Sequence, residues 1–268
     1  MMIDFAIIGG TGLNQLFGLE GYQEKHVDTL FGEPSAPIQI VAMASGDKDD
    51  KSDKGDKSDR GEKQVAFLAR HGQPHRLPPH RVNYRANIMA LKNLGVKAII
   101  AVNAVGGIAP TMTLAPHLVI PDQVIDYTYG RAQTFYDGEG ISGFDHVEHI
   151  DFTHPFDDAL REKLISETKK SQLPFSLSGV YGCTQGPRLE TPAEIKRMAQ
   201  EGCDIVGMTL MPEAALAREL AIPYASICLV VNPAAGLSSC EITMAEIQKA
   251  IDLGMSEVVN IVRRVILL

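Results

Sequence analysis

Three apolar runs in this chain are too short for helices and too continuous for half-exposed strands. Each gives way abruptly to small or charged residues. Phe5-Ala6-Ile7-Ile8 passes into Gly9-Gly10-Thr11-Gly12, Val65-Ala66-Phe67-Leu68-Ala69 into Arg70-His71-Gly72, and Ala98–Val102 into Asn103-Ala104-Val105-Gly106-Gly107. Without polar alternation, such runs belong to strands covered on both faces, and the covering layers have to be helices. The same reading places strands at Ile38–Met43, His117–Ile120, Gly179–Cys183, Ile205–Gly207 and Ala225–Val231.

Helices are marked by their ends. Thr191, with Pro192 at the first helical position and Glu194 three residues on, forms a capping box before a helix that stops at Gly202; Thr243 and Glu246 repeat the box. Further helices are expected from about Asn83 to Leu94, stopped by Gly95, and over Pro212–Leu220. The alternation predicts an α/β fold, and no shift of composition divides residues 1–268, which are read as one domain.

One stretch departs from this pattern. Ser45–Lys63 repeats Asp, Lys, Ser and Gly, carries seven acidic and six basic residues, and has nothing with which to build a core face. It is read as a solvated, disordered insertion (45–63) between two strands. The net charge of −8 argues against a nucleic-acid groove or an anionic membrane surface, so the expected partners are small molecules. The four cysteines, Cys183, Cys203, Cys228 and Cys240, lack metal-ligand spacing, and the chain opens on Met1-Met2-Ile3-Asp4 rather than a basic, apolar leader. A reduced, cytoplasmic protein is expected.

The three run ends suit one pocket. Gly9–Gly12 offers backbone amides to an anion, although Gln15 stands where a dinucleotide fingerprint needs its third glycine. Arg70 is costly at the end of a buried strand unless an anion meets it, and His71 beside it can add a donor. Taken alone, an Arg-His pair reads as part of a structural salt bridge. Three such strand ends together read as a phosphate pocket. Two later segments, Gly186-Pro187-Arg188-Leu189-Glu190-Thr191 and Val230-Val231-Asn232-Pro233, offer a carboxylate and an amide, which can read the edge of a 6-oxopurine.

With these motifs in view, and with Val82-Asn83-Tyr84, Phe135-Tyr136-Asp137-Gly138 and Met208-Thr209-Leu210-Met211-Pro212-Glu213 in the same order, the sequence resembles the trimeric purine nucleoside phosphorylases, most closely their methylthioadenosine branch. The resemblance implies a central mixed β-sheet, partly barrel-like, flanked by helices. It implies phosphate held by Thr11, Arg70, His71, Ala104 and Thr209, with Asn103 where the branch usually carries threonine, and Met208 beneath the ribose.

It also locates specificity. The methylthioadenosine enzymes carry two aspartates at the positions that here read Asn232 and Ala234. Glu190, Thr191 and Asn232 instead match the inosine and guanosine enzymes. Glu190 can accept from N1–H while Asn232 serves O6 and N7, and Leu189 is counted with them among the substrate-binding residues. The other reading of Glu190 is a helix-start acid complementing the macrodipole. At the sugar end, ordinary purine nucleoside phosphorylases hold the 5′-hydroxyl with a histidine. Here Ile242, Met244 and Ile247 suit a methylthio group, with His75 nearby and His149 contributed by a neighbouring subunit of a homotrimer.

The expected substrate is therefore S-methyl-5′-thioinosine, cleaved by inorganic phosphate with no cofactor or metal, with Asn232, Glu190 and His71 as the catalytic set. The alternatives are a methylthioadenosine phosphorylase, an inosine and guanosine phosphorylase, and a nucleoside-binding protein without activity.

Overall fold

A computed structural model describes residues 2–10, 17, 21–43, 62–238 and 241–268. Among the described residues eleven strands run in chain order: β1 (Phe5–Gly9), β2 (Gln23–Lys25), β3 (Ile38–Met43), β4 (Lys63–Ala69), β5 (Ile99–Gly107), β6 (His117–Val119), β7 (Gln123–Asp126), β8 (Phe175–Ser176), β9 (Val180–Cys183), β10 (Ile205–Gly207) and β11 (Tyr224–Pro233). Five α-helices accompany them among the described residues: α1 (Tyr84–Asn93), α2 (Asp158–Thr168), α3 (Pro192–Gln200), α4 (Leu210–Glu219) and α5 (Met244–Leu267). All are joined in one mixed sheet, as expected. It runs β2-β3-β4-β1-β5 and branches at β5, with β10, β9 and β7 on one arm and β11, β6 and β8 on the other. Ile120-Pro121-Asp122 links the two arms covalently between β6 and β7.

Alternation along the strands builds the layers. In β1, Ala6 and Ile8 face one apolar cluster with Ile88, Leu91, Leu210 and Leu216 of α1 and α4. Phe5 and Ile7 face the other cluster, with Leu160 and Leu164 of α2 and Val258, Ile261 and Val265 of α5. In β11, Ala225, Ile227, Leu229 and Val231 point to that second layer and Cys228 and Val230 to the first. A sheet covered on both sides is what continuous apolar strands require.

Two expectations are corrected here. Asn103–Gly107 is not an open turn after a strand, because β5 continues through it, paired with Cys228–Pro233 of β11. Its glycines are required by close approach: a Cβ on Gly107 would lie 1.7 Å from the Met112 carbonyl oxygen. The charged stretch 45–63 ends earlier than expected, since Lys63 pairs with Met43 at the start of β4; residues 45–61 lie outside the described residues.

The strands β2, β7 and β8 were not anticipated. β2 is Gln-Glu-Lys and exposed, β8 is two residues long, and β7 is partly polar. Helix α2 went unread as well, although Asp157 caps it by accepting from the Leu160 N–H. Both expected capping positions are occupied: Thr191 and Glu194 exchange hydrogen bonds reciprocally, and Thr243 accepts from the Glu246 N–H.

Candidate active site

The branch in the sheet creates an opening. On one edge of β5, β1 pairs with residues 99–101 and β10 with residues 106–107, so residues 102–105 have no strand on that edge among the described residues. A crevice at a point where neighbouring strands diverge is where open α/β sheets bind ligands. Arg70, Asn103 and Thr209 all converge on it.

Arg70, just past β4, is buried and gripped by Glu213 of α4. Its Nε donates to Glu213 Oε2 at 2.7 Å and its Nη2 to Oε1 at 2.8 Å, with the two residues 2% and 0% exposed. Tyr224 adds a hydroxyl donor to Glu213 Oε1 at 2.9 Å. Burial opposes the charge on Arg70, but the adjacent Glu213 carboxylate outweighs it and holds the guanidinium protonated. Nη2 also reaches the Ile8 carbonyl at 3.4 Å and Nη1 that of Val102 at 3.3 Å. Of five N–H groups, the second on Nη1 is the one with no protein acceptor among the described residues. The anion expected at Arg70 is thus, in the first instance, part of the chain itself, and one directed donor is left to a ligand.

Asn103 connects the crevice to the sheet. The Thr209 hydroxyl donates to Asn103 Oδ1 at 2.8 Å, the Asn103 amide to Ser226 Oγ at 2.8 Å, and Ser226 to the Ala101 carbonyl at 3.3 Å. An amide has both a donor and an acceptor for this relay, which a threonine at 103 would have to share within one hydroxyl. Ala104 follows on the opposite face and is exposed although it lies in mid-sheet. Thr11 lies outside the described residues.

His71 differs from the expectation in polarity. Its Nδ1 lies 2.8 Å from the Leu77 carbonyl, an acceptor, so Nδ1 carries the proton and Nε2 of the neutral ring accepts. Burial and the adjacent Arg70 charge lower its pKa to about 4 from the usual 6.5. His71 therefore donates from Nε2 only when an anion brings a second proton with it. Its ring stacks on exposed His75 at 4.5 Å between centroids. In the unfolded chain the imidazole takes up a proton near pH 6.5, which the folded one refuses until about pH 4. This contribution to stability is fully present above pH 6.5 and lost as pH falls through that interval. Thermal melts of the phosphate-free protein are expected to show this acid slope, and His71→Asn to remove part of it. An identical slope in the variant would assign the acid loss to other groups.

On the base side, the chain leaves β9 through Thr184-Gln185-Gly186. Gly186 has φ +62°, and a Cβ there would come within 2.5 Å of Met208 Sδ, so the loop packs directly on that thioether. Glu190 stands outside α3 and caps nothing; its Oε1 accepts from Thr184 Oγ1 at 2.7 Å, which leaves Oε2 to accept from a ligand. The capping bonds of α3 are made by Thr191 and Glu194, so Glu190, next to the helix start, has its hydrogen bond to Thr184 instead. Glu190 lines a cavity of about 200 Å³ with Tyr127, Tyr129, Gly186 and Arg188.

Asn232 is not on that wall. It follows a β-bulge, where the register to β5 slips between Val230 and Asn232, a device that re-aims side chains beside sites. Its amide donates to the Pro233 carbonyl at 2.6 Å, and the second amide hydrogen has no acceptor among the described residues. The loop after β11 returns toward Glu190, for Gly236 packs so closely on Pro192 that a Cβ would lie 2.5 Å from it. Ala234 is buried in a small cluster with Ile195, Met198 and Val206. Leu189 and Met244 are exposed, at 45% and 75%, and His149 is exposed as well. Ile247 packs against the α5 side of the core, so that part of the methylthio expectation is not met.

Sequence reasoning missed Glu213, Ser226, Thr184 and Arg131. For Glu213 a signal existed: an acid amid Leu210-Met211-Pro212 and Ala214-Ala215-Leu216 is destined for burial and needs a cation.

Comparison with known proteins places the chain in a family. Residues 56–267 match the phosphorylase superfamily. The chain is 52% identical over 265 residues to a Pseudomonas syringae pv. tomato protein named a probable S-methyl-5′-thioinosine phosphorylase, with 99% of each chain covered. It is 40% identical over 258 residues to the 6-oxopurine nucleoside phosphorylase of Pyrococcus furiosus, covering 96% of this chain and 89% of that one. A solved structure of Schistosoma mansoni methylthioadenosine phosphorylase with adenine is similar at a TM-score of 0.85 and 28% identity, covering 98% of this chain and 91% of that one.

Proposed function

The chain belongs to the phosphorylase superfamily, and from that premise we propose that it cleaves the N-glycosidic bond of S-methyl-5′-thioinosine with inorganic phosphate, releasing hypoxanthine and 5-methylthioribose 1-phosphate. The observation that carries the base assignment is the Glu190 carboxylate, which Thr184 fixes through Oε1 so that Oε2 faces a donor such as N1–H of a 6-oxopurine. Adenine has no N1–H. The names of the relatives at 52% and 40% identity support the same base class.

In the reaction the glycosidic bond loosens first, and the positive charge that develops on the sugar is stabilised by phosphate beneath C1′. Phosphate then captures C1′. Arg70, Thr209, Asn103 and the strand-end amides, with Thr11, hold the nucleophile, an orientation effect that can supply several kcal/mol of the barrier. Asn232 donates to N7 and stabilises the negative charge that builds on the departing purine, Glu190 anchors the base through N1–H, and the proton that hydrogen phosphate gives up on forming the sugar ester ends, through water, on the purine as neutral hypoxanthine. Met208 lies under the ribose, and Met244 with Ile242 accepts the methylthio group. Phosphate is a co-substrate, and no step uses a cofactor.

The active form is a homotrimer in which the segment from Gln133 to His149, anchored to the core by buried Phe135 and exposed over most of its remaining length, completes a neighbour's pocket; sedimentation showing an active monomer would oppose this. No helix among the described residues is long and apolar enough to cross a membrane.

The deciding experiment is turnover of S-methyl-5′-thioinosine, S-methyl-5′-thioadenosine and inosine side by side, with and without phosphate. Phosphate-dependent preference for the first is expected. Preference for the adenosine analogue overturns the base assignment, preference for inosine overturns the sugar assignment, and binding without turnover leaves a nucleoside-binding protein.

A further inference from the structure

Arg131 lies in none of the motifs above, yet its guanidinium makes more hydrogen bonds than any group in the crevice. Nε donates to Gln185 Oε1 at 3.1 Å, and Nη2 to the carbonyls of Thr184 at 3.2 Å and Gln185 at 2.9 Å. Nη1 donates to the carbonyls of Met208 at 3.0 Å and Met211 at 2.5 Å, and reaches the Tyr84 hydroxyl at 3.4 Å. Every acceptor is a neutral oxygen, and the residue is 9% exposed. A buried guanidinium meeting only carbonyl, amide and hydroxyl oxygens is poorly explained as an ion pair. What the arrangement accomplishes is to join two separate segments of the chain.

The first segment is Thr184-Gln185, which leads into Gly186 and bears the hydroxyl that orients Glu190. The second is the Met208–Met211 turn, which holds Thr209 and opens α4. Met211 is non-helical, with φ −108° and ψ 137°, and its carbonyl turns to Arg131 instead of entering the helix ladder. Tyr84 supports the guanidinium from below, its ring 5.5 Å from the guanidinium carbon.

We propose that Arg131 is a positioning residue that locks the base-recognition loop carrying Thr184 and Glu190 to the phosphate-side turn carrying Met208 and Thr209, so that base and nucleophile are held in register across the glycosidic bond. This rests on the function proposed above. A planar fork with five donors can span both segments, whereas a lysine ammonium delivers its donors from one point and can serve only one of them.

The test uses the full chain with Arg131→Lys and Arg131→Ala, with kcat and KM measured for S-methyl-5′-thioinosine and S-methyl-5′-thioadenosine at saturating phosphate. Misplacement by about 1 Å can cost on the order of 100-fold in rate, and Arg131→Lys is expected to lose kcat on that scale. The discriminating readout is the ratio of the two kcat/KM values, which is blind to how much of a preparation is folded because unfolding lowers both alike. That ratio is expected to fall about tenfold in Arg131→Lys as Glu190 loses its fixed orientation. Millimolar guanidinium is expected to restore turnover to Arg131→Ala, with equimolar ammonium as the control. A ratio within about twofold of the parent enzyme, or no difference between guanidinium and ammonium, overturns the positioning role. If the parent enzyme itself fails to turn over the thioinosine with phosphate, it is the proposed function that fails.

Discussion

Glu213→Ala is expected to destabilise the protein by about 3–5 kcal/mol, because it leaves the Arg70 guanidinium buried without its carboxylate. For a chain of this size that corresponds to a fall in Tm of roughly 10 °C, measured by calorimetry without phosphate. The prediction has a second half, which separates the pair's structural part from its part in catalysis. Replacing both partners with apolar residues of similar volume, Arg70→Met with Glu213→Leu, removes the isolated charge and is expected to regain most of the lost stability. It cannot restore the Nη1 donor at the crevice, so phosphate saturation is expected to stay lost. A double variant that is stable and still saturates normally with phosphate would show that Arg70 serves the fold alone. A Glu213→Ala variant that melts within about 1 °C of the parent would show that the pair contributes little.

That pairing marks the limit of what the sequence discloses. Arg70 was legible as an expensive buried charge in need of an anion, but Glu213 stands 143 residues away and no local period connects them. Signals that act within one turn of chain were read directly. The Thr191–Glu194 box, the helix between Asn83 and Gly95 and the β3 strand at Ile38–Met43 fall where their residues put them, because the physics is contained in a few neighbours. Signals carried by a neighbouring strand were misread. Asn103–Gly107 has the composition of a turn, yet β11 pairs with it throughout and keeps it extended. Arg131 left no trace at all, since its acceptors are mostly main-chain carbonyls, which every residue has. The base side was more legible because selectivity there depends on side-chain chemistry at single positions, Glu190 and Asn232.

Those positions set the second large effect. Asn232→Asp is expected to invert base preference, lowering kcat/KM for S-methyl-5′-thioinosine while raising it for S-methyl-5′-thioadenosine. The amide hydrogen of Asn232 that has no acceptor among the described residues is a donor, and O6 and N7 of a 6-oxopurine are both acceptors. An ionised aspartate has only acceptors, so against hypoxanthine it sets lone pairs against lone pairs. Against adenine one oxygen accepts from the 6-amino group, and in the protonated form the other donates to N7. Each mismatched buried hydrogen bond costs on the order of 1–3 kcal/mol, so gain on one base and loss on the other predict a swing of at least about 100-fold in the selectivity ratio. Glu190, held by Thr184, continues to present an acceptor that adenine N1 cannot satisfy, so the single variant is expected to remain a weaker adenine enzyme than Asn232→Asp combined with Glu190→Gln. Paired steady-state assays on the two nucleosides decide it. An Asn232→Asp variant that loses both substrates in equal proportion would mean that Asn232 aids catalysis without choosing the base, and the choice would then lie with Glu190 alone.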